Sequence, residues 1–120
     1  MHELSIAMSI VEMAEEESER RGGAKINAVH LKLGPLSGVV KRALKSAFSL
    51  AAEGTILEGA NLVVEEVPII AYCPTCLAER ALPSMQNFLC PICETPLSDI
   101  RHGRELEVVA LEIEDVEVPQ

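Results

Sequence analysis

Four cysteines fall within twenty-one residues: Cys73-Pro74-Thr75-Cys76, thirteen intervening residues, then Cys90-Pro91-Ile92-Cys93. A two-residue gap lets the chain turn so that both sulfurs of a pair reach one tetrahedral ion, and a second such turn completes a closed set of four thiolates. A closed set leaves no position for water, so the expected role is structural and not catalytic. Clustered cysteines in a reducing compartment favour metal over disulfides. The matched pairs favour zinc; a redox dithiol pair and a rubredoxin-like iron site are the alternatives. Neither pair is followed by glycine, since Leu77 and Glu94 occupy those positions, so a less regular knuckle than the ligand spacing implies is expected.

A second chemistry is available at the other end, which opens MHELSIAM. With Met1 retained, its free amine, the His2 amide nitrogen and the His2 ring Nδ1 can close two adjacent chelate rings. The Glu3 amide or a group from elsewhere is left as the fourth donor. An all-nitrogen, square-planar arrangement suits nickel(II) or copper(II) and gives zinc no advantage. Soft sulfur at residues 73 to 93 and planar nitrogen at residues 1 to 3 would thus be chemically segregated. His30 lies inside a strand pattern, where a hydrogen-bonded, partly buried imidazole is expected, and His102 reads as a solvated loop residue.

These groups need a scaffold. From Glu3 to about Arg21, Leu4, Ala7, Met8, Val11 and Ala14 recur at helical spacing, with Ile6, Ile10 and Met13 widening the face. Arg20 and Arg21 followed by Gly22-Gly23 mark the end of that helix, and the Glu15-Glu16-Glu17 run reads as its solvated surface. Residues 25–33 alternate as a half-buried strand, GPLSG is a turn, and Leu44, Ala47, Phe48 and Ala51 mark a second helix over about 40–53 with Gly54 beyond its end. Residues 62–67 form a second strand. Strand, helix and strand in this order suggest a crossover between two parallel strands. RELEVVALEIEDVEV reads as a long final strand whose alternation changes phase near Val108 to Leu111.

Composition narrows the functions. Ten basic and nineteen acidic residues give a net charge of -9, and zinc held by four thiolates would make it about -11. Such a chain repels a phosphate backbone, and Phe48, Tyr72 and Phe88 are too few and scattered to stack bases. Nucleic acid is therefore not an expected partner. No apolar run approaches a membrane span, which predicts a cytoplasmic protein. The absence of a nucleophile elbow, a phosphate-binding glycine loop or an open metal site argues against an enzyme.

Taken together, MHELSIA, LGPLSGV, GTILEGANLVVEEVP, the paired cysteines and GRELEV, in that order, resemble the HypA/HybF hydrogenase maturation family of nickel metallochaperones over nearly the whole length. The resemblance implies an α/β (α+β) fold: a small mixed sheet of about three strands with two helices, plus an inserted four-cysteine, zinc-ribbon-like domain. The expected domains are residues 1–69 with 101–120 for nickel and residues 70–100 for zinc. It implies that Met1, His2 and Glu3 bind nickel as cargo, that Cys73, Cys76, Cys90 and Cys93 hold zinc, and that the protein is not an enzyme. The implied partners are the HypB GTPase and the large subunit of [NiFe]-hydrogenase, and in some organisms urease maturation proteins; homodimer formation is left open. Pro35 departs from the family pattern, in which an acidic residue is expected in many members. The alternative function is a zinc-ribbon protein-interaction module without nickel delivery, for which the amino terminus would be immaterial.

Overall fold

The structure is a computed structural model and describes residues 2–114. Along the chain run α1 (Glu3–Arg20), β1 (Ile26–Leu33), a short 3-10 turn (Pro35–Ser37), α2 (Lys41–Ala52), β2 (Asn61–Glu66), β3 (Ile69–Cys73), β4 (Ala78–Leu82), β5 (Asp99–His102) and β6 (Leu106–Ile113). Two three-stranded sheets result, β2-β1-β6 and β4-β3-β5. This is the expected α+β architecture, with the first sheet built from the three strands that the sequence pattern marks. The final strand ends at Ile113; the residues of its expected continuation beyond Glu114 lie outside the described residues.

Two compact units are present, one formed by residues 2–31, 39–64 and 108–114, the other by Lys32–Gly38 and Glu65–Glu107. In the first, α1 packs on α2 through a stripe of Ala7, Ile10, Val11, Ala14 and Ser18. That stripe lies to one side of the face marked by apolar periodicity, and Leu4, Met8 and Met13 remain exposed. Alanines at 7 and 14 explain the difference, because small side chains let the helix approach its neighbours where bulkier ones would hold it off. Leu44, Phe48 and Ala52 repeat every four residues on α2 and are buried, as are Ile26, Val29, Leu31, Leu57 and Leu62 of the same unit. Buried Ser18 is satisfied by donating to the Ala24 carbonyl at 2.6 Å. Gly22 and Gly23 both take positive φ, and the Gly23 amide closes the helix on the Ser18 carbonyl.

The second unit contains strands that the sequence pattern does not mark. β3 pairs antiparallel with β4, Ile69 opposite Leu82 and Cys73 opposite Ala78, and with β5, where the register slips between Ile70 and Ala71. Its core is Ile69, Ala71, Cys73, Leu82, Cys90 and Leu97, with Leu36, Cys76, Phe88 and Ile100 packed against it. The turn at 34–36 is tied to 103–105 by hydrogen bonds from the Gly34 amide to the Glu105 carbonyl (2.8 Å) and from the Leu36 amide to the Gly103 carbonyl (2.7 Å). This approach requires glycine at 34, where a Cβ would overlap the backbone carbonyl of Gly103.

Gly34→Ala is therefore expected to lower the unfolding free energy by about 3 kcal/mol, because only backbone displacement relieves the overlap. Gly59→Ala serves as the comparison. Its φ is +85° with nothing near the added carbon, so only the left-handed strain, about 1 kcal/mol, should appear. Urea unfolding of both variants measures the difference, and equal losses would rule out the close approach as the constraint.

Candidate metal centre

The sulfurs of Cys73, Cys76, Cys90 and Cys93 all lie within 4.8 Å of one another. Cys73 closes β3, so strand pairing fixes the first ligand, and the other three are brought to it by two tight turns. Across the pairs, Cys73 and Cys93 approach to 3.5 Å and Cys76 and Cys90 to 3.9 Å. A tetrahedral ion with metal–sulfur bonds of about 2.3 Å requires sulfur–sulfur edges of about 3.8 Å, whereas a disulfide requires about 2.05 Å. The donor set thus fits one tetrahedral, thiophilic ion. Cys73 and Cys90 are buried, Cys76 is half-buried and Cys93 is exposed.

Both knuckles complete the turn without glycine. Leu77 takes φ 55° and Glu94 takes φ 61°, the only positive values among the non-glycine residues described. Both positions after the cysteine pairs are therefore held in the left-handed conformation that a Cβ makes unfavourable. Within the turns the Cys76 amide donates to the Cys73 sulfur at 3.4 Å, and the Glu94 amide donates to the Cys90 carbonyl at 2.9 Å. Thr95 links the two knuckles: its hydroxyl lies 3.1 Å from the Cys93 sulfur and donates to the Thr75 hydroxyl at 3.0 Å. The spacing of the cysteines gives no hint of this threonine pair.

The thiols titrate as a group. Burial opposes ionisation of Cys90, yet the backbone amides of Cys93 and Ile92, with the thiols of Cys93 and Cys73, outweigh it and lower Cys90 to about 6. The Thr95 hydroxyl and amide lower Cys93 as well. The Arg80 guanidinium favours ionisation of Cys76, but Cys93, burial, Cys73 and Cys90 together push it up to about 11. A first thiolate is welcome here and the last is not, so four thiolates can coexist only around a cation.

At the amino terminus, His2 occupies the N-cap position of α1 without a side-chain capping bond and is exposed. The first helical hydrogen bond runs from the Ile6 amide to the His2 carbonyl at 3.2 Å. The Glu3 carboxylate accepts from the Val40 amide at 3.3 Å, which is the principal cause of its lowered pKa. Met1 lies outside the described residues, so His2 and Glu3 are the expected nickel ligands that can be placed.

The remaining histidines are both held. His30 is 33% exposed at its side chain, with Nε2 3.0 Å from Glu112, the hydrogen-bonded imidazole its strand position predicts. His102 ends β5 and is not a loop residue. Its Nδ1 lies 2.8 Å from Glu105, which also accepts from the Gly103 amide at 2.6 Å. The His102 ring and then that amide depress the Glu105 carboxyl to about 2. The local Gly103-x-Glu105 spacing was the available signal for this contact.

A family model described as hydrogenase/urease nickel incorporation, metallochaperone, hypA matches residues 1–113. The hydrogenase maturation factor HypA of Chloroflexus aurantiacus is 53% identical over 112 residues, covering 93% of this chain and 98% of that protein. That of a Roseiflexus species is 52% identical over 115 residues, covering 96% and 94%. In fold, the chain is similar to the solution structure of the Ni metallochaperone HypA from Helicobacter pylori (TM-score 0.63, 24% identity), over 94% of this chain and 97% of the other.

Two predictions follow from the geometry. Leu77→Gly and Glu94→Gly should each raise stability by about 1 kcal/mol by removing left-handed strain, measured by urea unfolding of the metal-loaded protein with metal content unchanged; a loss in both would show the strain is absent. The second concerns Glu105, whose folded pKa of about 2 lies below its ordinary 4.5. Its contribution is complete above pH 4.5 and is lost as the pH falls toward 2. The stability gap between wild type and Glu105→Gln should therefore close over that interval, and His102→Ala should raise the Glu105 titration midpoint seen by carboxyl NMR.

Proposed function

The chain belongs to the HypA family, and on that premise we propose that it is a nickel metallochaperone that binds Ni(II) at Met1, His2 and Glu3 and delivers it during maturation of [NiFe]-hydrogenase. The observation that carries this reading is the start of α1. Since the first helical bond begins at the Ile6 amide, the backbone nitrogens of His2 and Glu3 have no helical acceptor to lose on binding metal. Each amide that deprotonates removes one unit of charge from the complex. This matters beside the positive end of a helix, which disfavours a bare dication and tolerates a neutralised one.

In this reading His2 contributes its amide nitrogen and ring Nδ1, next to the Met1 amine. Glu3 completes the set through its backbone nitrogen while its carboxylate stays on the Val40 amide. A site of few donors at an exposed terminus can hand over its ion by stepwise ligand exchange to an acceptor. Copper outranks nickel for such a donor set, so selectivity rests on delivery. The acidic surface, -9 overall, steers cations and basic patches of partners.

We assign zinc to Cys73, Cys76, Cys90 and Cys93, in a structural role. A zinc ion supplies the charge that lets four thiolates coexist and, with all four positions taken by protein, offers no site for activating water. The zinc-binding domain is then centred on residues 70–100, inserted between residues 1–69 and 101–120 of the nickel-binding domain, and its compact unit also takes in Lys32–Gly38 and the flanking residues out to Glu65 and Glu107. The partners in this proposal are the HypB GTPase and the hydrogenase large subunit, with urease maturation proteins as a further recipient route and a homodimer as one form of the chaperone. No catalytic activity of its own is assigned. Among the described residues no helix is long and apolar enough to cross a membrane, which supports the assignment to the cytoplasm.

The test is nickel titration of zinc-loaded protein with an authentic Met1 terminus, beside His2→Ala and a version extended by one residue before Met1. One nickel with a square-planar absorption spectrum is expected for the native protein. Both variants should weaken binding by more than the roughly hundredfold typical of losing an outer-sphere partner. Equal binding by all three would discard the terminal site and leave a zinc-ribbon interaction module as the better account.

A further inference from the structure

We infer that the groove between α2 and the edge strand β2 is a docking site for an extended, acidic peptide segment of a partner protein. Ligand-binding clefts usually measure about 300–1,000 Å³, and this groove encloses about 430 Å³, lined by Lys45, Phe48 and Ser49 of α2 and by residues 60–64. The lining along 60–64 is continuous. Successive side chains of a strand point to opposite faces, so an unbroken run means that the backbone edge itself forms one wall. Among the described residues β2 is the end strand of its sheet and pairs with β1 alone. Its other edge carries main-chain donors and acceptors of the kind that an added strand satisfies.

Charge selects the occupant. α2 carries Lys41, Arg42 and Lys45 and no carboxylate, within a chain whose net charge is -9. Two of these cations sit in the first turn, where the helix dipole disfavours them. Arg42 and Lys45 are exposed and have no ion-pair or hydrogen-bond partner among the described residues. Lys45 stands on the wall opposite the strand edge, positioned to meet a carboxylate of a peptide lying along it. Val63 is 42% exposed and Leu62 is buried, so an apolar side chain alternating with the acids finds a counterpart in the groove. The local cations of α2 and not the overall charge select the occupant: a short acidic segment meets them with few charges of its own, whereas a second copy would bring its whole net charge of -9 against that of the first.

The experiment titrates the full, metal-loaded chain, with its backbone amides followed by NMR, with an acetylated and amidated eight-residue peptide alternating glutamate and valine. Saturable shifts centred on the amides of residues 60–64 are expected, and Lys45→Glu should weaken binding by about tenfold or more, as should replacing the glutamates of the peptide by lysine. The acidic peptide N-methylated at alternate residues, made in both phases, tests strand addition: one phase should abolish the shifts and the other retain them. Absence of saturable shifts, equal binding of the acidic and basic peptides, or insensitivity to both N-methylated forms would overturn the proposal. So would concentration-dependent self-association that perturbs the same amides in the absence of peptide.

Discussion

The unit formed by Lys32–Gly38 and Glu65–Glu107 depends on four sulfurs meeting at one point. Its buried core holds six residues, and two of them, Cys73 and Cys90, belong to the sulfur cluster. A region with so few large apolar side chains cannot order itself by burial alone. Convergence of the sulfurs compensates, because ligation closes the loop between the two pairs and fixes both knuckles at once. The consequences reach into the backbone. Leu77 and Glu94 remain left-handed without glycine because each is fixed at both ends, by the cysteine before it and by the residue after it, Ala78 paired opposite Cys73 and Thr95 against the Cys93 sulfur.

How much of this was legible in the sequence varied with the kind of interaction. The paired cysteines fixed the cluster, since two-residue spacing is local geometry. The two helices and the three strands of the first sheet were legible because a core-facing surface imposes its period on the chain. The second sheet was not, although Ile69, Ala71 and Cys73 alternate correctly, because three apolar positions beside a metal motif look the same as a loop with two ligands. The buried stripe of α1 was displaced from its apolar face because the sequence shows hydrophobicity and not which side can approach closely. His102 was misplaced for a related reason: its partner, Glu105, is set by the corner at Gly103, whose φ is +121°, and neither residue carries a periodic signal.

The start of α2 shows how the two helices of the first unit share one electrostatic problem. A helix beginning with a β-branched Val40 has no side-chain cap of its own and no acid in its first turn, and cations there add to the unfavourable field. The missing acceptor comes from the other helix, where the Glu3 carboxylate reaches the Val40 amide. One side chain thereby anchors the beginning of α1 and supplies the negative charge that the beginning of α2 lacks.

That sharing constrains any chemistry at the amino terminus. If the Glu3 carboxylate moved onto a metal ion, the Val40 amide would lose its acceptor, a cost comparable to removing a helix cap, about 1 kcal/mol. A donor set made from backbone nitrogen and the His2 ring avoids this cost, because those groups are not used by the helix. In the proposed nickel site this cost favours His2 as the side-chain ligand, with the Glu3 carboxylate left to hold the terminus in place. A site built this way binds without dismantling its support, and can release its ion without first having to rebuild it.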